Sequence, residues 1–193
     1  NEIKPILIVK KKLSKSEQKE FKNLELLKTD FFHNQTLFDR VFNKFLILIF
    51  GKSKTYDDFF LKNKIDILSH SNALSNSIFL GKNSVVKSYP FLADLQYIHY
   101  PQNFSYKNLF LRKINIYMCA LHSTKIIVSS NDVKNDLKIV SKLASRKAMV
   151  SPFVFLSPKK KEIIKSSILR TKFKLPLKYF YLPNQYWMHK NHK

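Results

Sequence analysis

Three short polar segments of this sequence each follow an apolar run, and they carry side chains that can bind ligands or move protons. They are Ser69-His70-Ser71, Asp94-Leu95-Gln96-Tyr97-Ile98-His99 and Ser129-Ser130-Asn131-Asp132. We predict that the apolar runs are strands of a parallel sheet. In such sheets, ligands bind in the crevice beyond the carboxyl ends of the strands. We therefore expect the three segments to converge on one rim of the fold.

Each polar segment also has a purely structural interpretation. The serines of the first and third segments can begin helices. His70 can be a loop histidine with satisfied hydrogen bonds, and Asp94 and His99 can form a local hydrogen-bonded turn. A Ser-His-Asp hydrolase is open on composition, but the G-x-S-x-G nucleophile elbow that such enzymes carry is missing from the sequence.

Several kinds of site are excluded by residue counts and spacing. The chain has two glycines, Gly51 and Gly81, so it can form neither a G-x-G-x-x-G motif nor a Walker A loop for phosphates. Its six histidines are dispersed, and no H-E-x-x-H motif or Cys pair is present, so we expect no bound metal and no cofactor. The single cysteine, Cys119, excludes an internal disulfide and fits a reducing compartment such as the cytoplasm.

The net charge of the chain is +22, with 35 Lys and Arg against 13 Asp and Glu. Such a charge attracts nucleic acid, anionic lipid or phosphorylated substrates. The excess is mostly Lys spread along the whole chain, and Arg, the better ligand for phosphates and base edges, occurs four times. The first interpretation of this composition is that the basic residues lie on solvated faces that bind no ligand. An anionic membrane surface is the next interpretation, and a nucleic-acid-binding module is the third; we expect no nucleic acid partner.

Apolar periodicity predicts alternating strands and helices. The predicted strands are 6–9, 65–68, 91–95, 125–128, 149–155 and 179–182. The predicted helices are 15–25, 37–50, 56–63, 108–121, 132–143 and 159–169. We place Gly51 at the C-cap of the second helix and Asn131 at the N-cap of the fifth. This order predicts an α/β, Rossmann-like fold with a mainly parallel sheet covered by helices on both faces.

Four segments carry a resemblance to a known family. In order, they read IDILSHS, FLADLQYIHYPQNFS, IIVSSNDVKNDL and YFYLPNQYWMHKNH, and together they span residues 65–192. The most specific parts are the D-x-Q-x-x-H-x-P-x-x-F-S stretch, from Asp94 to Ser105, and the PNQYWMHKNH ending. These segments resemble the bacterial family-4-type glycosyltransferases, which have the GT-B fold of two Rossmann-like domains.

The resemblance implies a retaining transfer of a sugar from a nucleotide-diphosphate donor to a hydroxyl. The acceptor would be a glycan or a lipid-linked molecule in surface polysaccharide or lipopolysaccharide biosynthesis, and no metal would be bound. The protein would be cytoplasmic, or peripheral on the inner face of the cytoplasmic membrane. An anionic membrane surface would then be a further partner.

The same resemblance assigns roles to individual residues. The candidate catalytic residues are Asp94 and His99. The candidate acceptor-binding residues are Ser69, His70, Gln96 and Ser130, and the candidate donor-binding residues are Asn184, Gln185 and Lys190. Lys190 fits the family's diphosphate-binding Lys, which neutralises charge on the leaving group, whereas Gln185 stands where an Arg is usual.

Besides Gln185, the sequence departs from the family pattern at three points. Many relatives have His-Asp where this chain has Ala93-Asp94. The family's Gly-containing first strand would precede Asn1, and its E-x7-E carboxylates would follow Lys193. We therefore expect an acceptor-side domain over 1–177 that lacks its first strand, and the first strand and loop of a truncated donor domain over 178–193. We expect the chain alone to have no transferase activity, and an inactive remnant remains an alternative interpretation.

Overall fold

The computed structural model describes residues 3–72, 80–154 and 164–181. The strands are β1 Ile6–Val9, β2 Glu25–Lys28, β3 Ile67–Asn72, β4 Lys87–Leu92, β5 Ile126–Val128 and β6 Ala148–Val150. The helices are α1 Lys15–Glu20, α2 Leu37–Phe50, α3 Lys54–Lys62, α4 Gln96–His99, α5 Tyr106–His122, α6 Asn131–Val140, α7 Lys142–Lys147 and α8 Ser166–Phe173, with a 3-10 turn at Pro101–Asn103.

The architecture is α/β, with parallel sheets flanked by helices, which confirms the predicted Rossmann-like class. One sheet holds β1 and β2, and the other has the strand order β3-β4-β5-β6. Strand β5 pairs in parallel with β4 on one side and with β6 on the other. The carboxyl ends of β4, β5 and β6 therefore lie at one edge of the sheet.

Contacts between residues divide the chain into two compact units. The first comprises Asn1–Leu68, Ile78–Ser88 and His122–Thr124, and the second comprises Ser69–Ser77, Tyr89–Leu121 and Lys125–Lys193. The predicted domain boundary between residues 177 and 178 stays a prediction.

In the first unit, the capping signals in the sequence set the ends of α2. The Thr36 hydroxyl accepts a hydrogen bond from the Asp39 backbone N–H, and the Asp39 carboxylate accepts one from the Thr36 backbone N–H, which forms a capping box. These hydrogen bonds hold the pKa of Asp39 below its usual value. Gly51 ends the helix in the left-handed conformation at φ 72°, so the predicted bounds and C-cap of α2 are confirmed.

The two glycines of the chain meet in this unit. The carbonyl oxygen of Gly51 accepts a hydrogen bond from the Asn83 backbone N–H at 2.8 Å. Gly81 has φ 91°, and a Cβ added to it would lie 2.0 Å from the same Gly51 oxygen. A Cβ on Gly51 would instead meet the Asn83 side chain, at 2.6 Å from Nδ2. At position 81, the Gly51 backbone leaves no room for a side chain. At position 51, the neighbouring Asn83 side chain can move.

The core of the second unit is built on β5. Ile126, Ile127 and Val128 are all buried, and the adjoining helices contribute further buried apolar side chains. These are Leu95, Tyr97, Ile116, Cys119, Ala120, Val133, Leu137 and Ala144. Burial raises the pKa of the Cys119 thiol to about 12.

Several predicted elements differ from the observed ones. The predicted helix 15–25 ends at Glu20, and Glu25 begins strand β2, which the sequence analysis missed. The predicted strand 91–95 is β4, which ends at Leu92, because buried Leu95 belongs to the following loop and extends the apolar run beyond the strand.

The predicted strand at the C-terminal end is wrong over its described part. Tyr179, Phe180 and Tyr181 lie in no strand and are exposed, and Leu182 lies outside the described residues. An aromatic run becomes a strand only when a neighbouring strand pairs with it, and none of the described strands does so. Among the described residues, no helix has the length and apolar character needed to cross a membrane.

We expect Gly81→Ala to destabilise the protein more than Gly51→Ala. Alanine at 81 adds a clash with backbone to the cost of a positive φ, so we expect a loss of about 3 kcal/mol or more. At position 51, the Asn83 side chain can move, so we expect roughly 1–2 kcal/mol. Urea denaturation followed by circular dichroism measures both values. Equal losses would contradict the contact between the two glycines.

We expect the Cys119 thiol to be unreactive in the folded protein. Its pKa of about 12 leaves almost no thiolate at pH 8, and the buried sulfur is inaccessible to reagents. Titration with Ellman's reagent should detect no thiol in native buffer and one thiol per chain in about 6 M guanidinium, a concentration that unfolds most domains. Rapid native labelling would show that α5 does not pack as described.

Candidate functional site

The carboxyl edge of the β4-β5-β6 strands carries two of the three polar segments. Strand β4 leads into the loop Ala93–Leu95 and then α4, and β5 leads through Ser129 and Ser130 into α6. The register pairs Leu92 with Val128, so the residues that follow the two strands are neighbours. The Ser129 hydroxyl donates a hydrogen bond to the Ala93 carbonyl oxygen at 2.5 Å, which ties the two loops together.

Asp94 lies exposed in the tied loop, next to buried Leu95. Its carboxylate accepts a hydrogen bond from the Gln96 backbone N–H at 3.4 Å, and Gln96 begins α4. This contact is long, and the carboxylate faces solvent. Asp94 is therefore in a position to accept hydrogen bonds from a ligand at this edge of the sheet.

Ser130 is the N-cap of α6. Its backbone is extended, with φ −155° and ψ 169°, and its hydroxyl accepts a hydrogen bond from the Val133 backbone N–H at 3.2 Å. The predicted N-cap, Asn131, is instead the first residue of the helix. The helix lead-in that the sequence analysis considered for Ser130 is therefore its observed local role.

His99 is bound by a carboxylate that the sequence analysis did not single out. Its Nε2 lies 2.9 Å from both carboxylate oxygens of Asp136 in α6. The side chain of His99 is 55% exposed and that of Asp136 is 18% exposed, so this is a half-buried ion pair when the imidazole is protonated. Asp136 lies three residues after buried Val133 and one before buried Leu137, and this position beside the buried face of α6 was the signal in the sequence.

An arginine beside α4 also escaped the sequence analysis. The Arg112 guanidinium carbon lies 4.8 Å from the Phe104 ring centroid and 5.9 Å from that of Tyr97, and its Nε donates to the Asn108 Oδ1 at 2.6 Å. The rings and the amide hold the guanidinium in one orientation. Burial raises the pKa of Tyr97 to about 12, so its hydroxyl stays protonated.

Ser69 and His70 lie in β3, in the second unit. His70 has φ 57°, in the left-handed region, and its Nδ1 lies 2.8 Å from the Ser69 hydroxyl oxygen. The imidazole lies 5.2 Å from the Phe91 ring, which meets the Phe153 ring edge-on at 5.8 Å. His70, Phe91 and Phe153 form an aromatic row that links β3, β4 and the residues after β6. A positive φ in a strand costs conformational energy for histidine. Residues with such backbone strain cluster at functional sites, so His70 is a candidate functional residue.

The described residues thus bring some of the predicted site together. Asp94, Gln96, His99 and Ser130 lie on the two segments joined by the Ser129 hydrogen bond and the Asp136 ion pair. Ser69 and His70 belong to the same unit, and the His70 ring contacts Phe91 of β4. The predicted donor-binding residues Asn184, Gln185 and Lys190 lie outside the described residues.

Two further observations bear on the chemistry of the described segments. A shallow depression lined by Ser167, Ile168, Thr171 and Lys172 lies on α8 alone and includes none of the predicted residues. Within residues 3–72, 80–154 and 164–181, no group of three or more His, Cys, Asp or Glu side chains could hold a metal ion.

Comparison of the chain with protein-family models, with curated proteins and with solved structures gave no match. The assignment of function therefore depends on the residues and their geometry.

We expect Ser130→Ala to destabilise the protein by about 1 kcal/mol, because it removes the N-cap hydrogen bond of α6. The matched control is Asn131→Ala, which changes the first helical residue and should alter stability by less than about 0.5 kcal/mol. Chemical denaturation of the two variants measures the difference. A larger loss for Asn131→Ala would move the cap to the position that the sequence pattern favoured.

Proposed function

We propose that this chain carries the acceptor side of a retaining GT-B glycosyltransferase of surface polysaccharide or lipopolysaccharide biosynthesis. The observation that carries the proposal is the hydrogen bond from Ser129 to the Ala93 carbonyl. It joins the loops after β4 and β5 and presents the exposed Asp94 carboxylate where parallel sheets bind ligands. The motif residues Gln96 and His99 follow on the same segment.

Asp94 would act on the hydroxyl of the acceptor. An exposed carboxylate accepts hydrogen bonds from sugar hydroxyls, and it can take the proton of the attacking hydroxyl as the bond to the sugar C1 forms. The bond between C1 and the donor diphosphate breaks on the face of the sugar that the hydroxyl attacks, so the configuration at C1 is retained. Lys190 would neutralise the charge on that leaving diphosphate, and the amides of Asn184 and Gln185 would donate hydrogen bonds to it.

His99 would contribute through its pairing with Asp136. The two carboxylate oxygens at 2.9 Å from Nε2 orient the ring, while Nδ1 stays available to a ligand. Many relatives have a His immediately before the position of Asp94, and this chain has Ala93 there. The His99 imidazole is therefore the candidate contact to the acceptor sugar. Asp136 is then a positioning residue and does not touch the substrate.

The aromatic row supports a carbohydrate ligand. The apolar face of a sugar ring packs against aromatic side chains, and Phe153, three residues after β6, is 73% exposed. Ser69, whose hydroxyl contacts the His70 ring, would bind sugar hydroxyls beside this row, together with Gln96 and Ser130. No resident cofactor or metal takes part in this proposal, and the nucleotide-sugar is a substrate.

We expect Asp94→Asn to weaken glycan binding at least tenfold, which corresponds to about 1.4 kcal/mol. The assay is saturation-transfer NMR with purified bacterial surface oligosaccharides and the full chain. The matched control is Asp58→Asn, which removes the same charge from an exposed position on α3 and should leave binding unchanged.

Two results would contradict the glycan proposal. One is equal binding by the Asp94 variant and the control. The other is an absence of glycan binding together with nucleic acid binding that falls steeply with salt, which would favour the nucleic-acid-binding module instead.

A further inference from the structure

Helix α2 of the first unit presents a broad apolar face to solvent. Its opposite side is fixed by buried Asn43 and Ile47, and Asn43 accepts a hydrogen bond from the buried Ser53 hydroxyl at 2.5 Å. Seven large apolar side chains, each 49% to 78% exposed, share the outward arc at helical spacing. We call them the α2 apolar face: Leu37, Phe38, Val41, Phe42, Phe45, Leu48 and Ile49.

Charged residues border this face and do not interrupt it. At 100° per residue, Asp39, Arg40 and Lys44 all fall outside the arc of the seven apolar residues. Asp39, the one acid on the helix, is engaged by the Thr36 cap. Lys44 stands exposed at the flank of the face, and exposed Lys52 and Lys54 follow the end of the helix. The surroundings of the face are therefore basic.

The charge around the face decides between two occupants, a second copy of the chain and a lipid surface. Seven large apolar side chains that are half to three-quarters exposed form a patch of several hundred Å², which is large enough for either occupant. Two chains of charge +22 repel each other, whereas an anionic bilayer attracts the lysines that border the face. A single amphipathic helix can lie in a bilayer interface with its apolar face buried by about 5–10 Å.

We propose that the α2 apolar face docks onto an anionic lipid bilayer. The helix lies in the plane of the interface, its phenylalanine rings enter the acyl boundary, and Lys44, Lys52 and Lys54 contact the anionic headgroups. This inference does not depend on the proposed sugar transfer, because the face and the lysines around it belong to the first unit. The net charge of the chain does not indicate which element would contact a membrane, because the lysines are spread along the whole chain. The proposal assigns this contact to α2.

The test is co-sedimentation of the full chain with vesicles of phosphatidylcholine and phosphatidylglycerol. We expect the double variant Phe38→Ser and Phe42→Ser to lower the partition coefficient at least about tenfold, because it removes two rings from the buried face. These rings stack at 6.0 Å and are 74% and 49% exposed, so their loss should leave the fold intact. Circular dichroism and Cys119 protection check the fold.

The matched control is the double variant Tyr106→Ser and Phe110→Ser on α5. These two aromatic residues are also one helical turn apart, and they are 91% and 65% exposed. We expect this variant to bind vesicles as the unaltered chain does. Equal loss in both variants, or binding that about 0.5 M salt abolishes regardless of the variant, would show that charge alone holds the chain to lipid. Either result would overturn the proposal.

A second measurement reports insertion directly. Phe42→Trp in a Trp187→Phe background places the single tryptophan on the α2 apolar face. We expect its emission to shift to the blue with anionic vesicles and to be quenched by brominated acyl chains. An unshifted, unquenched tryptophan would overturn the proposal. So would a dimer in lipid-free sedimentation that the Phe38→Ser and Phe42→Ser variant dissociates, since a second copy would then be the occupant.

Discussion

The parallel pairing of β5 is the constraint on which the candidate site depends. The strand is three residues long, and all three side chains are buried, so it cannot slip by one residue without exposing part of its core. Its register with β4 pairs Leu92 with Val128. The chain therefore leaves the sheet at Ala93 and at Ser129 side by side, and a single hydroxyl is enough to join the two loops.

Some polar residues of this edge form local structural hydrogen bonds, and others expose groups that can contact a ligand. Ser129 closes the gap between loops, and Ser130 begins a helix. Their hydroxyls satisfy backbone groups that would otherwise need water. Because these neighbours fix the backbone, the Asp94 carboxylate and the His99 imidazole can stay exposed while their positions are held. The edge is thus organised by the chain's own contacts, which would lower the entropic cost of binding the proposed ligand.

Sequence patterns predicted the elements whose signals are local. The bounds of α2 follow from Thr36, Asp39 and Gly51, which act on their own helix, and the class of the fold follows from the order of apolar runs. Long-range partners carry no such local signal. Asp136 meets His99 across 37 residues, and β2 became a strand because β1 pairs with it. The aromatic run at 179–181 had the composition of a strand but has no partner among the described strands.

The contact between Gly51 and Gly81 has a consequence for the way the first unit reaches its native alignment. Bringing positions 30 residues apart together costs roughly 3 kcal/mol in chain entropy, so this docking should come after the self-capped helix α2 has formed. Lys52 and Lys82 follow the two glycines, and neither side chain fits where a single Cβ would approach backbone at 2.0 Å. If either segment shifts by one residue, a lysine side chain overlaps the other segment. The two glycines therefore allow only the native alignment of the two segments.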